Sequence, residues 1–417
     1  MIRIAARSLC AAFLIAAGRL RRATVMCLPA AAAALLLLAP QACAATLQER
    51  IQNAQVLQEF KTGGAHVWQL AVAKDLVAFV LRKDGSSPIE VYDLNGVLRF
   101  RFDLPYCTVD SALCSVDLSD DGGTIVVTEC RDEWLLHRIF GVDSTLCFTL
   151  GTAAFLVTSP HGRYFSKQYN EITTERLSIF DRQGKEVRSL DGMLSGWNCA
   201  FVDDEHLFIA DPDSAWIVDV QTGATHARAL GLGGYRRVPT ITMSRTDSVV
   251  AVCNYNTIVV LSTTDLTELW RDSSDMDLYT LAIDEGADVL AMQFADWRAG
   301  YGFFRIVSLR DGRRLCESGR IPSLSSSARH TADITWFYGG VLSQWGPPNS
   351  SLGVFTGDEQ HWTMFLQWDG QSQSLSEPVI VPGIYRALTK QAGADRYMRV
   401  DDRNKASLLS IGQEEKR

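Results

Sequence analysis

The residues able to do chemistry in this chain are scattered. Seven histidines (His66, His137, His161, His206, His226, His330 and His361) lack the close spacing that brings two imidazoles to one metal ion. Ten cysteines include no C-x-x-C pair, which disfavours a zinc ribbon or a thioredoxin-like redox site. Cys107 and Cys114 flank a turn-like stretch and would close a short loop as a disulfide. Cys130 and Cys253 lie in apolar runs, where a thiol behaves as a small hydrophobe. Asp272, Asp275 and Asp277 fall close enough together to offer oxygen ligands to calcium, the alternative being an ordinary solvated loop. There is no G-x-S-x-G elbow, P-loop, H-E-x-x-H or G-x-G-x-x-G step, and in Gly192–Gly196 the serine is off-centre for an elbow. No catalytic residue is assigned, and no cofactor is expected beyond the calcium alternative.

One positional regularity is more informative. Arg82, Arg131, Tyr169 (beside Gln168), Asp211, Asn254 with Tyr255, Asp296 with Trp297, Trp345 and Asp401 each close a short apolar run. Strand ends that simply meet water would look like this. So would a ring of polar and aromatic groups suited to gripping a polar ligand or peptide.

The elements that carry those positions repeat. A short apolar run, a tight turn with Asp, Gly or His, and a second apolar run recur eight times. The turns fall at Asp75, Asp121, Gly162, Asp204, Asp247, Gly286, Gly339 and Gly393, in steps of 39 to 54 residues. A further apolar run ending in an Asp/Gly turn follows most copies, as in Val91–Gly96, Ile179–Gly184 and Val218–Gly223. Short β runs at this pitch, with no capped helical stripe after residue 60, predict an all-β chain. The pitch suits four-stranded propeller blades, eight of them, or seven if the last two loose copies form one irregular blade.

Ser159-Pro160-His161-Gly162-Arg163-Tyr164 resembles the S-P-D-G step of bacterial WD40-like propeller repeats, with His in place of Asp, and Ser119-Asp120-Asp121-Gly122 resembles it with Asp in place of Pro. The resemblance extends weakly over residues 55–417. It departs from true WD40 repeats in having no Gly-His dipeptide and a single Trp-Asp, Trp368-Asp369. Thr264–Trp270 is similar, once, to the tryptophan-docking step of quinoprotein propellers, which does not support a quinone cofactor. The resemblance implies a β-propeller, a fold that hosts many functions.

The last copy ends early, at Ser407–Ile411, without an outer strand, whereas Gln55–Phe60 is a strand-like run ahead of the first copy. The economical expectation is that Gln55–Phe60 completes the eighth blade and joins the N-terminal to the C-terminal part of the chain, removing exposed strand edges.

Residues 1–44 carry five arginines and no acid, then an uncharged Ala/Leu-rich stretch ending in Ala42-Cys43-Ala44. That is the secretory pattern, and it predicts export to the periplasm or beyond with cleavage before Ala45, leaving 45–417 as one propeller domain. The alternative is an uncleaved anchor through residues 23–48. Without the five arginines the formal charge passes from −8 to −13, which argues against nucleic acid as a partner. No segment after residue 48 is long and apolar enough to be expected to span a bilayer. The expected function is an extracytoplasmic binding or scaffold module for a protein, peptide or glycan. The competing class is an enzyme (hydrolase, lyase or quinoprotein-like oxidoreductase) built from channel-mouth residues.

Overall fold

The computed structural model describes residues 46–82, 87–103, 115–131, 134–141, 143–152, 156–167, 176–191, 198–211, 213–232, 239–244, 246–284, 288–296, 301–321, 333–337, 340–345, 362–387, 396–401 and 404–411. The chain forms two compact units, residues 1–49 with 414–417, and residues 50–413. In the first, Thr46–Glu49 are described. There Thr46 Oγ1 accepts the Glu49 N–H at 3.2 Å while Glu49 Oε2 accepts the Thr46 N–H at 2.8 Å. This capping box opens the short helix α1 (Leu47–Gln52).

The second unit is an eight-bladed β-propeller, as the repeat predicted, with each blade running from inner strand A to outer strand D. The first strand, β1 (Gln55–Phe60), belongs to the last blade. Blade 1 is β2 (His66–Ala73), β3 (Leu76–Arg82), β4 (Ile89–Asp93) and β5 (Leu98–Phe102). Blade 2 is β6 (Ser115–Leu118), β7 (Thr124–Arg131), β8 (Trp134–Gly141) and β9 (Leu146–Thr152). Blade 3 is β10 (Leu156–Thr158), β11 (Tyr164–Lys167), β12 (Arg176–Asp181) and β13 (Glu186–Asp191). Blade 4 is β14 (Asn198–Phe201), β15 (His206–Ala210), β16 (Ser214–Asp219) and β17 (Thr225–Ala229). Blade 5 is β18 (Thr240–Ser244), β19 (Val249–Asn254), β20 (Thr257–Ser262) and β21 (Glu268–Ser273). Blade 6 is β22 (Asp277–Asp284), β23 (Val289–Asp296), β24 (Tyr301–Ser308) and β25 (Arg314–Glu317). Blade 7 is β26 (Asp333–Phe337), β27 (Gly340–Trp345) and β28 (Trp362–Asp369), with its outer strand in two pieces, β29 (Ser374–Leu375) and β30 (Val379–Pro382). Blade 8 is β31 (Ile384–Ala387), β32 (Arg396–Val400), β33 (Ala406–Ser410) and, at its outer edge, β1. Gln55–Phe60 pairs antiparallel with Ala406–Ser410, so the expected closure is observed.

Strand B is sandwiched between neighbouring blades, which is why β19 (VVAVCN) is buried at every position instead of alternating. A core fills every seam. Phe60, Phe79 and Tyr92 meet Met398 and Leu408 between blades 8 and 1. Val80 and Val91 meet Val116 and Ile125 in the next seam, and Val126 and Ile139 meet Phe165 in the one after. Further round, Ile179 packs with Leu207, Phe208 with Val252, Trp270 with Leu290, and Ile306 with Leu366. Phe365 sets its ring 5.2 Å from Tyr385 and 6.2 Å from Tyr397 at the last seam.

A second device ties blades at the outer edge. In the C–D turns, an aspartate side chain caps the turn and a glycine with positive φ completes it. Asp93 Oδ1 accepts the N–H groups of Asn95 and Val97, and Asp181 Oδ1 those of Gln183 and Lys185, each within 3.0 Å. The D strand of the preceding blade lies against that glycine. A Cβ at Gly312 (φ +68°) would meet the Trp270 ring at 2.7 Å, and one at Gly184 (φ +77°) would meet Phe148 at 2.8 Å. From the same region of the D strand, Arg188 Nε donates to Val220 O at 3.3 Å, Arg228 Nη1 to Leu266 O at 3.1 Å and Trp270 Nε1 to Leu309 O at 2.8 Å. Each acceptor is a carbonyl of the following blade's C–D turn.

Candidate functional site

Antiparallel pairing within every blade sends the A–B and C–D connections to one face of the propeller and the B–C and D–A connections to the other. The two faces differ. On the first, no connection between the described strands is longer than 388–395, and several described turns are closed by their own side chains. Ser159 Oγ accepts the N–H groups of Arg163 and Tyr164, and Ser119 Oγ that of Thr124. Asp204 of blade 4 accepts the His161 N–H at 3.1 Å and holds His161 Nδ1 at 2.8 Å, fastening the blade 3 turn. On the second face the strands bracket the long connections 103–114, 230–239, 318–332 and 346–361. Long connections on a rigid scaffold are where binding groups concentrate.

Every described strand-end residue singled out in the sequence belongs to a B–C connection or its edge, and so to this second face. Tyr169 and Trp297 lie outside the described residues. β7, β23 and β27 end at Arg131, Asp296 and Trp345. Arg82 is half-buried at the end of β3. Asp211 is buried, and its Oδ1 accepts the N–H groups of Asp213 and Ser214 at 2.7 and 2.6 Å. Desolvation pushes its carboxyl above the ordinary range against those two donors, with Asp213 adding to the rise. Asp401 caps its turn in the same way, through the Lys405 N–H at 2.9 Å. Asn254 is buried at 2 % exposure, and Tyr255 takes φ +54° in the two-residue turn to β20.

The described part of this face converges most at the seam of blades 5 and 6. The Leu278 N–H donates to Tyr255 O at 2.6 Å and the Ser274 N–H to Asn256 O at 2.8 Å, so the crossing chain 274–278 lies beside the blade 5 turn. Phe294 and Phe303 stack at 5.0 Å, with the Arg305 guanidinium 4.7 Å from the Phe294 ring centre. Glu317 Oε2 takes Arg305 Nε at 2.9 Å. Above them Met276 and Tyr301 are partly buried, and Arg320 lies 4.4 Å over the Tyr301 ring. Paired backbone hydrogen bonds between Gly302 and Ile321 fix that arginine's place in the chain. Sequence reasoning missed this aromatic and arginine group, because its members come from β23, β24 and the chain after β25, whose adjacency only the blade register reveals.

The three proposed calcium ligands are not gathered into a metal site. Asp272 ends 4.0 Å from Arg305, and among the described residues no three His, Cys, Asp or Glu side chains converge as an ion would require. Cys107 and Cys114 lie outside the described residues. Cys199 and Cys253 are free and buried, and burial pushes both thiols up to about 12, as expected of small core residues and not of nucleophiles. Among the described histidines, His66 bonds Asn404, His137 bonds Thr128 and His206 bonds Asp203.

No protein-family model matches the chain. No curated protein matches it in sequence. Its likeness to solved structures is extensive: 1065 chains share the fold, so the match identifies an architecture and not an activity. BamB from Moraxella catarrhalis superposes with a TM-score of 0.55 at 13% identity, covering 86% of this chain and 99% of that one. Sqt1 from Saccharomyces cerevisiae gives 0.56 at 10% identity, covering 86% and 100%. The WD40 domain of SCAP from fission yeast gives 0.50 at 9% identity, covering 87% and 98%. The chain is a β-propeller of the general kind that includes WD40 domains.

Proposed function

We propose that this propeller is an extracytoplasmic binding or scaffold module whose B–C and D–A face takes a protein, peptide or glycan partner. One observation carries the reading: the described strands put both ends of the long connections 103–114, 230–239, 318–332 and 346–361 on that face, while the described turns of the opposite face, such as those at Ser159 and Asp181, are short and bond to themselves. The aromatic and arginine group at blades 5 and 6 supplies the residue types that dominate binding energy at interfaces, and the described strand ends Arg82, Arg131, Asp211, Asn254, Tyr255, Asp296, Trp345 and Asp401 belong to the same face; in this reading Tyr169 and Trp297 join them as partner-binding residues. The arginine-led leader supports an exported protein. The serine-capped turns at Ser119 and Ser159 support the S-P-D-G repeat type.

The test is site-specific photo-crosslinking in the native host. A photoreactive residue replaces exposed Asn256 or Asp275 on the proposed face, and exposed Gln183 or Thr222 on the other. Discrete adducts are expected from the first pair and none from the second. Adducts from Gln183 and Thr222 alone would assign binding to the wrong face and sink the reading.

A further inference from the structure

One cation on the B–C and D–A face is fixed in place and still open to solvent. Arg320 is exposed where the chain leaves β25 for blade 7. Its neighbour Ile321 is buried in the seam of blades 6 and 7. There the Gly302 N–H donates to Ile321 O at 3.1 Å and the Ile321 N–H to Gly302 O at 2.8 Å. The Arg320 guanidinium lies 4.4 Å over the Tyr301 ring, which itself packs against the core between blades 5 and 6. Backbone and ring together hold the cation at one spot. Three other arginines of this blade are engaged in ion pairs: Arg305 and Arg314 with Glu317, at 2.9 and 3.4 Å, and Arg310 with Asp288. Arg320 joins no ion pair among the described residues.

Stacking occupies the flat side of a guanidinium and leaves its N–H donors, which lie in the plane, for a planar acceptor such as a carboxylate. The chain on either side adds to the charge. Connections 297–300 and 318–332 both open on this face, and they contain Arg298, Arg320 and Arg329 with no aspartate or glutamate. A polyanion is a poor fit, because the chain carries a net charge of −8 and Asp275 stands exposed on the preceding D–A connection of the same face. A single carboxylate with an apolar side chain beside it, as a polypeptide presents, fits better. The carboxylate would meet the guanidinium while its neighbour covered the partly buried Tyr301 and Met276.

We propose that Arg320 receives a carboxylate of a partner polypeptide, from an acidic side chain or a chain terminus. This rests on the binding face proposed above and names the chemistry of its partner. The test uses the full chain in the native host, with the photoreactive residue at Asn256. Arg320→Gln should cut the yield of adducts by about fivefold or more, and Arg320→Lys should give an intermediate yield. Arg313→Gln, at an exposed arginine in the C–D turn of the opposite face, should leave it unchanged. The Arg320→Lys variant also brings an amine that a water-soluble carbodiimide joins to a carboxylate in contact with it. Treated lysates should yield an amide between position 320 and a carboxylate of the partner, and the peptide found by mass spectrometry tells a side chain from a terminus. No coupling at position 320, or coupling only to Asp275, Asp296 or Asp333 of this chain, overturns the proposal, the latter because the arginine would then serve an internal pair. Coupling to a uronic acid overturns it in favour of a glycan. Undiminished adducts in Arg320→Gln sink it while the binding face stands, whereas a parent without Asn256 adducts removes both.

Discussion

Trp270 illustrates how single residues hold this ring together. Its indole covers Gly312 of the next blade, and its N–H meets Leu309 O at 2.8 Å, so one side chain supplies both packing and a hydrogen bond across the seam. Trp270→Ala should cost about 3–5 kcal/mol, as removal of a buried aromatic does. Gly312→Ala should cost roughly 1–3 kcal/mol, because the position has φ +68° and the new methyl would strike the indole. The two effects share a contact. The double variant should therefore fall short of the sum by about 1 kcal/mol, measured by urea unfolding of all four proteins. Strict additivity would show that the glycine is needed for its backbone angle alone. The sequence offered a partial view of this: Thr264–Trp270 resembled a docking step once. The equivalent positions are held by Phe148, Arg188 and Arg228, so no single residue type marks them for a motif search.

Among the elements, β1 has the most at stake for its size. Its Phe60 ring lies 5.6 Å from both Phe79 and Tyr92, edge to face, binding blade 8 to blade 1. Phe60→Ala should lose about 3–5 kcal/mol, and deletion of residues 45–61 should lower the melting temperature of the whole propeller and make it aggregate, since the edge of β33 would be bared. Thermal unfolding with solubility recorded decides it. A truncated protein that melts within about two degrees of the parent, and stays soluble, would mean that closure contributes little. The repeat pitch, the blade count and this closing strand were legible because each rests on periodic apolar runs and turn residues within one short window. Blade 7 was less so: the break between β29 and β30 follows no signal stronger than Ser374–Pro378. The candidate site was legible only as a set of strand ends. That Asp211 and Asp401 cap their own turns follows from local spacing, but the meeting of Phe294, Phe303, Tyr301 and Arg320 depends on register across strands.

For the molecule as a whole, the aspartate-capped turns set a response to acid. Asp93, Asp204, Asp219, Asp265, Asp311 and Asp369 all have carboxyls held below the ordinary range. Turn N–H or hydroxyl donors favour the ionised form at each, outweighing the desolvation that is the largest single influence at Asp93 and Asp204. Their stabilisation is complete above the unfolded-state value near 4 and is lost as pH falls through the lower folded values. Asp117 and Asp211, raised in the fold, act in the opposite sense and lose their contribution as pH rises through the folded values. Six groups outnumber two, so urea midpoints should hold from pH 7 to 5 and fall between pH 4 and 2. A midpoint that rises on acidification would refute this. The pairing of β1 with β33 has a further effect, on the order of events in time. Gln55–Phe60 leaves the ribosome among the first parts of the propeller and finds its partner, Ala406–Ser410, only when almost all the chain has followed. Loop closure over that separation is slow compared with the local pairing inside each blade. Seven blades are therefore assembled from consecutive strands while the eighth waits half-made. During that interval the growing chain presents two open strand edges to any chaperone, or to any neighbour, that meets it first.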